Sequence, residues 1–559
     1  MTATEEFDVV VVGSGFGGSV SAFRLAEAGL RVCVLERGKP YPPGSFARTP
    51  ADVSRAFWDP SKGLQGLFDI WSFEGIEGVV SSGLGGGSLI YANVLLRKPE
   101  KYFVTHQPFT GGYEEWPITR ADLDPHYDAA EKMLNAQLFP EDAPGFGIPK
   151  TAAMRAAAQT IGREFELTPL AVTFANEGEP PMQAQPIPDP YYGNIYGLPR
   201  TTCRLSGECD MGCNYGSKNT LDHNYLSAAK YHGADIRTRS EVRALEPSDG
   251  GRYLVTYVEH TEENEGRPTN TRKLPRRLVS AKRVVLAAGT FGSPYLLLRN
   301  RSAFKDLSPA LGSRFCGNGD LLGFMLDARG ELDPSNGPVI TSATKVPDEL
   351  EGGPKGQRGF IIEDAGYPQF VNWLVEGATV GSNLKRMLRF ALNRIMARLG
   401  RDPRSDISAD VSALIGDGRM SSHALPLLGM GRDVPDGQMS LRDGWLEIDW
   451  TTKTSQSYFD SAQDTMKAIS AALGADFHPN PLGLLHRVIT VHPLGGCPMG
   501  NDPRQGVVDG YGEVFGYPGL FVLDGSAMPG PVGVNPSLTI AAFADRAADH
   551  ILSTGGAAS

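Results

Sequence analysis

The chain has 559 residues, 41% apolar and 21% charged, which excludes disordered and fibrous classes and is too long for one simple core, so two or more closely packed domains are expected. A formal net charge of −11 with no outweighing basic stripe excludes a duty on nucleic acid. No apolar run reaches the roughly 18 residues that span a bilayer, the start MTATEEFDVV is acidic where a secretory leader is basic, and 6 cysteines build no disulfide framework, so a cytoplasmic protein is expected.

Residues 7–38, FDVVVVGSGFGGSVSAFRLAEAGLRVCVLERG, read as a strand, a glycine turn, a helix and a second strand. Gly13, Gly15 and Gly18 form G-x-G-x-x-G, which permits the turn, the approach of a pyrophosphate to the helix N-terminus and close helix packing. Glu36, at the end of the second strand, is spaced to accept hydrogen bonds from a ribose. This unit predicts a dinucleotide site without deciding between NAD and FAD. Next, GVVSSGLGGGSLIYANVLLR (78–97) has a second glycine cluster after a short strand, with the Ser88 hydroxyl available as a partner. Thr119 and Asp122 predict a capped connector helix.

TTCRLSGECDMGC (201–213) holds Cys203, Cys209 and Cys213, half of the chain's cysteines. Three thiolates suit an iron–sulfur cluster, and they equally suit free residues in a loop over a cofactor, because the spacing fits no standard four-ligand zinc site. Residues 281–298, AKRVVLAAGTFGSPYLLL, form another strand, small-residue turn and helix. Residues 383–401 carry Leu384, Leu388, Leu392, Ile395 and Leu399 on one helical face and only basic charge opposite. That is compatible with peripheral contact to an anionic membrane, and with a helix packed on its own sheet. Residues 436–450 alternate around an Asp-Gly turn, a hairpin signal. Near the C-terminus the strand-turn-helix plan recurs, with Asp524 ending the strand.

Five ordered motifs, namely the first glycine turn, GLGGGSL, LAAGTFGSP, HPLGGCPMG and LDGSAMPGPVGVNPSLTIAAFADR, make the sequence resemble the glucose-methanol-choline (GMC) FAD-dependent oxidoreductases. HPLGG and VGVNP are most similar to the bacterial cholesterol oxidases that hold FAD non-covalently. The resemblance covers nearly the whole chain. It implies an α/β fold: a Rossmann-like FAD domain with a parallel sheet, assembled from residues 1–100, 200–310 and 485–559, and a substrate domain on an antiparallel sheet with helices, from 101–199 and 311–484 with the connector. It implies FAD contacts at Gly13, Gly15, Phe16, Gly18, Glu36, Gly85, Ser88, Asn93, Val242, Ala288, Gly289, Asp524, Asn535 and Pro536.

Oxidation of an alcohol removes a proton from oxygen and a hydride from carbon, so a base must face the flavin. His492 in TVHPLGGC is the candidate, since imidazole titrates near neutrality and Pro493 with two glycines stiffens its loop. Asn535 is expected to address the same oxygen. The substrate class expected is a bulky apolar, sterol-like alcohol, with oxygen or another electron acceptor taking the electrons. Cholesterol oxidases also use a glutamate to shift the steroid double bond; the expected place for it is Val371 or Asn372, with Glu363 or Glu376 as substitutes, so oxidation without efficient isomerisation is expected. C-x5-C-x3-C also resembles the catalytic subunit of bacterial FAD-dependent glucose dehydrogenases, implying a three-iron cluster on Cys203, Cys209 and Cys213 and a dehydrogenase of another alcohol. A further alternative is a hydroxynitrile lyase, which keeps FAD without redox turnover.

Overall fold

The β-branched run Val9–Val12 is the middle of a sheet buried on both faces, which is why it is apolar without alternation. The strand Glu5–Val12 lies between Val32–Leu35 and Arg276–Leu286, both parallel to it, and Asp235–Arg237 extends the sheet beyond Val32–Leu35. The 11-residue strand Arg276–Leu286 serves two neighbours. Its end, residues 284–286, pairs parallel with Leu520–Val522, and its beginning, residues 276–281, pairs antiparallel with Arg252–Glu259, which pairs in turn with Ser240–Ser248. The computed structural model describes residues 4–106, 112–349, 358–368, 421–480 and 487–555. The sequence-predicted membrane patch, residues 383–401, lies outside them, and among the described residues no helix is long and apolar enough to cross a membrane.

At Gly13, φ is +95° and an added Cβ would stand 2.4 Å from the Ala287 carbonyl oxygen. The helix Phe16–Glu27 then rises from Gly15. Its closest approach is made by Gly17, the residue inside the motif that sequence reasoning passed over: a Cβ there would lie 1.4 Å from the Leu523 carbonyl oxygen. Gly17→Ala must push the helix off the strand end that carries Asp524. We expect a loss of about 1–3 kcal/mol and purification with less than stoichiometric flavin, measured by thermal melting and the flavin-to-protein absorbance ratio; an unchanged melt and ratio would refute the packing argument.

A second sheet of six strands is antiparallel throughout, in the order Glu164–Leu167, Ser342–Val346, Phe360–Asp364, Leu425–Gly431, Leu321–Leu326 and Asp476–Pro479. One face packs on the helix Gln456–Ala472: Met466 is 0% exposed and sits over Gly323 and Gly429. The opposite face carries Leu322, Leu428 and Glu363, one row across three neighbouring strands. The predicted connector helix, Arg120–Met133, has the capping box of Thr119 and Asp122. The predicted hairpin runs through Gln438–Arg442 and Trp445–Asp449, with Asp443 and Gly444 both at positive φ, but it forms a two-stranded sheet of its own instead of joining the larger one.

Candidate active site

One continuous cavity of about 2660 Å³ opens at the carboxyl ends of the parallel strands, where Val12, Leu35, Glu36 and Ala287 line it. Ordinary small-molecule pockets run to roughly 1,000 Å³, so this one has room for a dinucleotide and a second molecule. Gly13, Gly15, Phe16, Glu36, Val242, Ala288, Gly289, Asp524, Asn535 and Pro536 all border it, as does His492. The residues fit a pyrophosphate. The helix Phe16–Glu27 has no side-chain cap at its N-terminus, and a Cβ on Gly15 would meet no protein atom within 4 Å, so the space in front of the uncapped N–H groups is open.

The Glu36 carboxylate accepts from Ser14 N–H at 3.0 Å, Ser14 Oγ at 2.6 Å and Gly38 N–H at 2.8 Å, which fixes it and leaves lone pairs for a hydroxyl. Ser14 Oγ in turn accepts from Gly85 N–H at 3.0 Å, tying the two glycine turns together. Sequence reasoning missed Ser14 because it occupies a variable place in the glycine motif. Asp524 is held by Gly289 N–H at 2.9 Å and Ser293 Oγ at 2.5 Å.

Four predicted contacts stand behind the cavity wall. A Cβ on Gly18 would lie 2.1 Å from the Gly13 carbonyl oxygen, so this glycine serves packing. Gly85 and Ser88 form the second turn; the Ser88 hydroxyl donates to Gly85 O at 2.7 Å and accepts from Leu221 N–H at 3.1 Å, so, contrary to expectation, it is consumed within the protein. Asn93 is fully buried at φ 71°, beside the Cys209 thiol.

His492 is oriented by Asp320, a residue the sequence did not single out. Asp320 Oδ2 accepts from Thr490 Oγ at 2.9 Å, Val491 N–H at 2.9 Å and His492 N–H at 3.1 Å, and Oδ1 lies 2.9 Å from His492 Nδ1. A carboxylate that collects these donors is an acceptor, so Nδ1 carries the proton and Nε2 is the nitrogen left for the cavity. Asn535 Nδ2 is 3.4 Å from Glu363 Oε2, and Asn535 Oδ1 and Glu363 Oε1 have no hydrogen-bond partner among the described residues. Glu363 is fully buried, and burial, reinforced by Asp364 and Asp320, pushes its carboxyl well above the usual 4.5. Of the two carboxylates named as substitutes, Glu363 is thus a buried side chain against Asn535. Val371, Asn372 and Glu376 lie outside the described residues.

Asp433 accepts from Gly317 N–H at 2.8 Å, and burial pushes its carboxyl from 3.8 up to about 7. The folded-state value is raised, so its contribution to stability is complete below 3.8 and is lost as pH rises through about 7. Asp433→Asn should flatten the fall of Tm between pH 5 and 8; an unaltered slope would contradict this assignment.

Cys203, Cys209 and Cys213 do not make the predicted cluster site. Among the described residues no group of three His, Cys, Asp or Glu side chains is disposed to hold a metal ion. The space they line with Lys218 is about 20 Å³, room for roughly one water. Burial pushes the Cys203 and Cys209 thiols up, toward the protonated form that is a poor ligand. Lys218 Nζ donates instead to the carbonyls of Leu89 at 3.0 Å, Tyr91 at 2.7 Å and Cys209 at 2.7 Å. The cysteine loop therefore braces the second glycine turn.

One wall of the cavity is apolar: Leu322 and Phe324 pair across the sheet with Leu428 and Pro426, and all four border the same space as His492 and Asn535.

Family models described as GMC oxidoreductase match residues 199–317 and 438–544, and one described as FAD binding domain matches residues 8–45. A cholesterol oxidase of Mycobacterium tuberculosis is 31% identical over 97% of this chain and 90% of its own length. A cholesterol oxidase of Acinetobacter baumannii is 29% identical over 98% of this chain and 94% of its own. The crystal structure of pyridoxine 4-oxidase from Mesorbium loti superposes with a TM-score of 0.56 at 16% identity, covering 98% of this chain and 99% of that one.

Proposed function

The chain belongs to the GMC oxidoreductase family and is an FAD-dependent oxidoreductase acting on alcohols, and from that premise we propose that it oxidises a bulky apolar, sterol-like secondary alcohol to the ketone. FAD held in this cavity would supply the acceptor for the hydride of the carbinol carbon. His492 Nε2 takes the hydroxyl proton while Asp320 keeps Nδ1 protonated and the ring in one orientation. The Asn535 carboxamide, with its Oδ1 unengaged among the described residues and one N–H turned to Glu363, orients the substrate oxygen. The FAD unit is drawn from residues 1–100, 200–310 and 485–559, with Gly15, Glu36, Val242, Ala288, Gly289, Asp524 and Pro536 along the cofactor. Gly13, Gly18, Gly85 and Ser88 shape the turns that hold it.

The observation that carries the substrate class is the wall of Leu322, Phe324, Pro426 and Leu428, which offers a substrate no hydrogen-bonding side chain. A polyhydroxylated sugar buried there would leave its hydroxyls unpaired, which costs about 1–3 kcal/mol each. The test is anaerobic bleaching of the bound flavin with sterols, terpenols, fatty alcohols and sugars. Sterols should bleach it fastest; fastest bleaching by sugars would reject the proposal, and flavin that no alcohol bleaches would favour the lyase reading. We propose oxygen as the acceptor, checked by oxygen uptake that does not depend on an added artificial acceptor.

A second activity is supported by Glu363, whose buried carboxyl stands behind Asn535. With a 3β-hydroxy-5-ene steroid, it carries the proton that moves the double bond once the ketone has formed.

A further inference from the structure

The chain just ahead of Asn535 is gripped residue by residue. Lys98 Nζ donates to the carbonyls of Pro531 at 2.8 Å and Val532 at 3.3 Å, 3.9 Å above the Trp116 ring. Asn318 Oδ1 accepts from Gly533 N–H at 2.8 Å and its Nδ2 donates to the Val534 carbonyl at 3.0 Å. Residues 531–534 thus each carry a tether from a side chain. Lys98 and Asn318 are both 0% exposed, where these bonds cannot be traded for water.

The same short segment also holds the histidine. Cys316 and Leu494 exchange two backbone hydrogen bonds of 3.0 Å, the Gly317 carbonyl accepts from Thr490 Oγ at 3.2 Å, and Asp320 takes the donors of Thr490, Val491 and His492. Residues 316–320 therefore bind the chain on both sides of His492 and, at the same time, the two residues that lead into Asn535. Asp433, bonded to Gly317 N–H, anchors the segment from a third direction. None of Lys98, Asn318 or Asp320 borders the cavity, and each is bonded to the chain that carries His492 or Asn535, which makes it a positioning residue.

We propose that the segment Cys316–Asp320 is a clamp that sets the separation of the His492 imidazole from the Asn535 carboxamide, with Asp320 positioning the first and Asn318, helped by Lys98, positioning the second. The proposal rests on the reading of His492 and Asn535 as base and orienting amide. A displacement near 1 Å at such a pair costs as much as about 100-fold in rate, so the clamp governs kcat more than substrate affinity.

The test is a double-mutant cycle read by anaerobic flavin reduction in the flavin-loaded enzyme. Asn318→Ala alone should slow reduction roughly 10- to 100-fold with KM changed less than kcat, and in the Asn535→Ala background its effect should shrink to under about twofold, because the group it positions is gone. Asp320→Asn should behave the same way with respect to His492→Ala. Hydrogen exchange supplies a readout without turnover: the peptide spanning residues 530–536 should take up deuterium faster in Asn318→Ala. Should that variant fail to load flavin, Lys98→Met, which removes the tethers to Pro531 and Val532 and keeps the bulk, enters the same cycle. Equal fold losses in both backgrounds, or unaltered exchange at 530–536, overturn the clamp while leaving the catalytic reading intact. Full activity of His492→Ala and Asn535→Ala overturns both.

Discussion

His492→Ala should lower kcat for alcohol oxidation by about 10²- to 10⁴-fold, the usual weight of a positioned base. The loss should be confined to chemistry, because the bonds around the site do not depend on the ring. Asp320 keeps its bonds from Thr490 Oγ and from the backbone N–H groups of residues 491 and 492, so the carboxylate is not left buried without donors when the ring is removed. Pro493 and Leu494 keep their attachments as well, the Pro493 carbonyl to Thr290 Oγ at 2.6 Å and Leu494 to Cys316. The measurement is stopped-flow reduction of bound flavin under nitrogen, with the flavin-to-protein ratio as the control for folding. A rate within tenfold of the parent at an unchanged ratio would falsify the assignment of His492, whatever the substrate.

What the sequence made legible follows the range of the interactions. The first glycine turn, the burial of Val9–Val12 and the capped helix at Thr119 depend on contacts within a few residues or on one strand's pattern, and a reader of the linear chain can derive them. Gly17 was passed over because its reason, the carbonyl of Leu523, lies 506 residues away. Asp320 and Asn318 sit in CGNGD, which reads as nothing more than a turn until the fold brings it against residues 490–494 and 533–534. The three cysteines misled in the opposite sense. Their spacing suggests ligation, but folding sets them around a space of about 20 Å³ and turns Lys218, which also lines it, toward carbonyls. Glu363 was named only as a substitute, because register across an antiparallel sheet decides whether a carboxylate faces solvent or the active site, and register is not written in one strand.

Glu363→Gln should separate the two reactions. With a 3β-hydroxy-5-ene steroid, the variant should oxidise the alcohol and release the unconjugated 5-en-3-one, with conjugated ketone formed about 10²-fold or more slowly than by the parent. Oxidation persists because glutamine can still accept from Asn535 Nδ2 and fills the same buried space between Ala343 and Leu428. The parent itself should show a pH dependence that the variant lacks. Only the carboxylate can take a proton from the steroid ring, and burial holds the Glu363 pKa well above 4.5. The reactive fraction therefore grows about tenfold with each pH unit until that raised value is passed. At low pH the parent should accumulate 5-en-3-one, and the share of conjugated 4-en-3-one should climb as pH increases, whereas the glutamine enzyme should follow only the slow spontaneous shift. Product ratios resolved by chromatography after single-turnover quenching decide the matter: equal conjugated product from parent and variant across the pH range would remove Glu363 from the chemistry and leave it a buried carboxyl without a role in turnover.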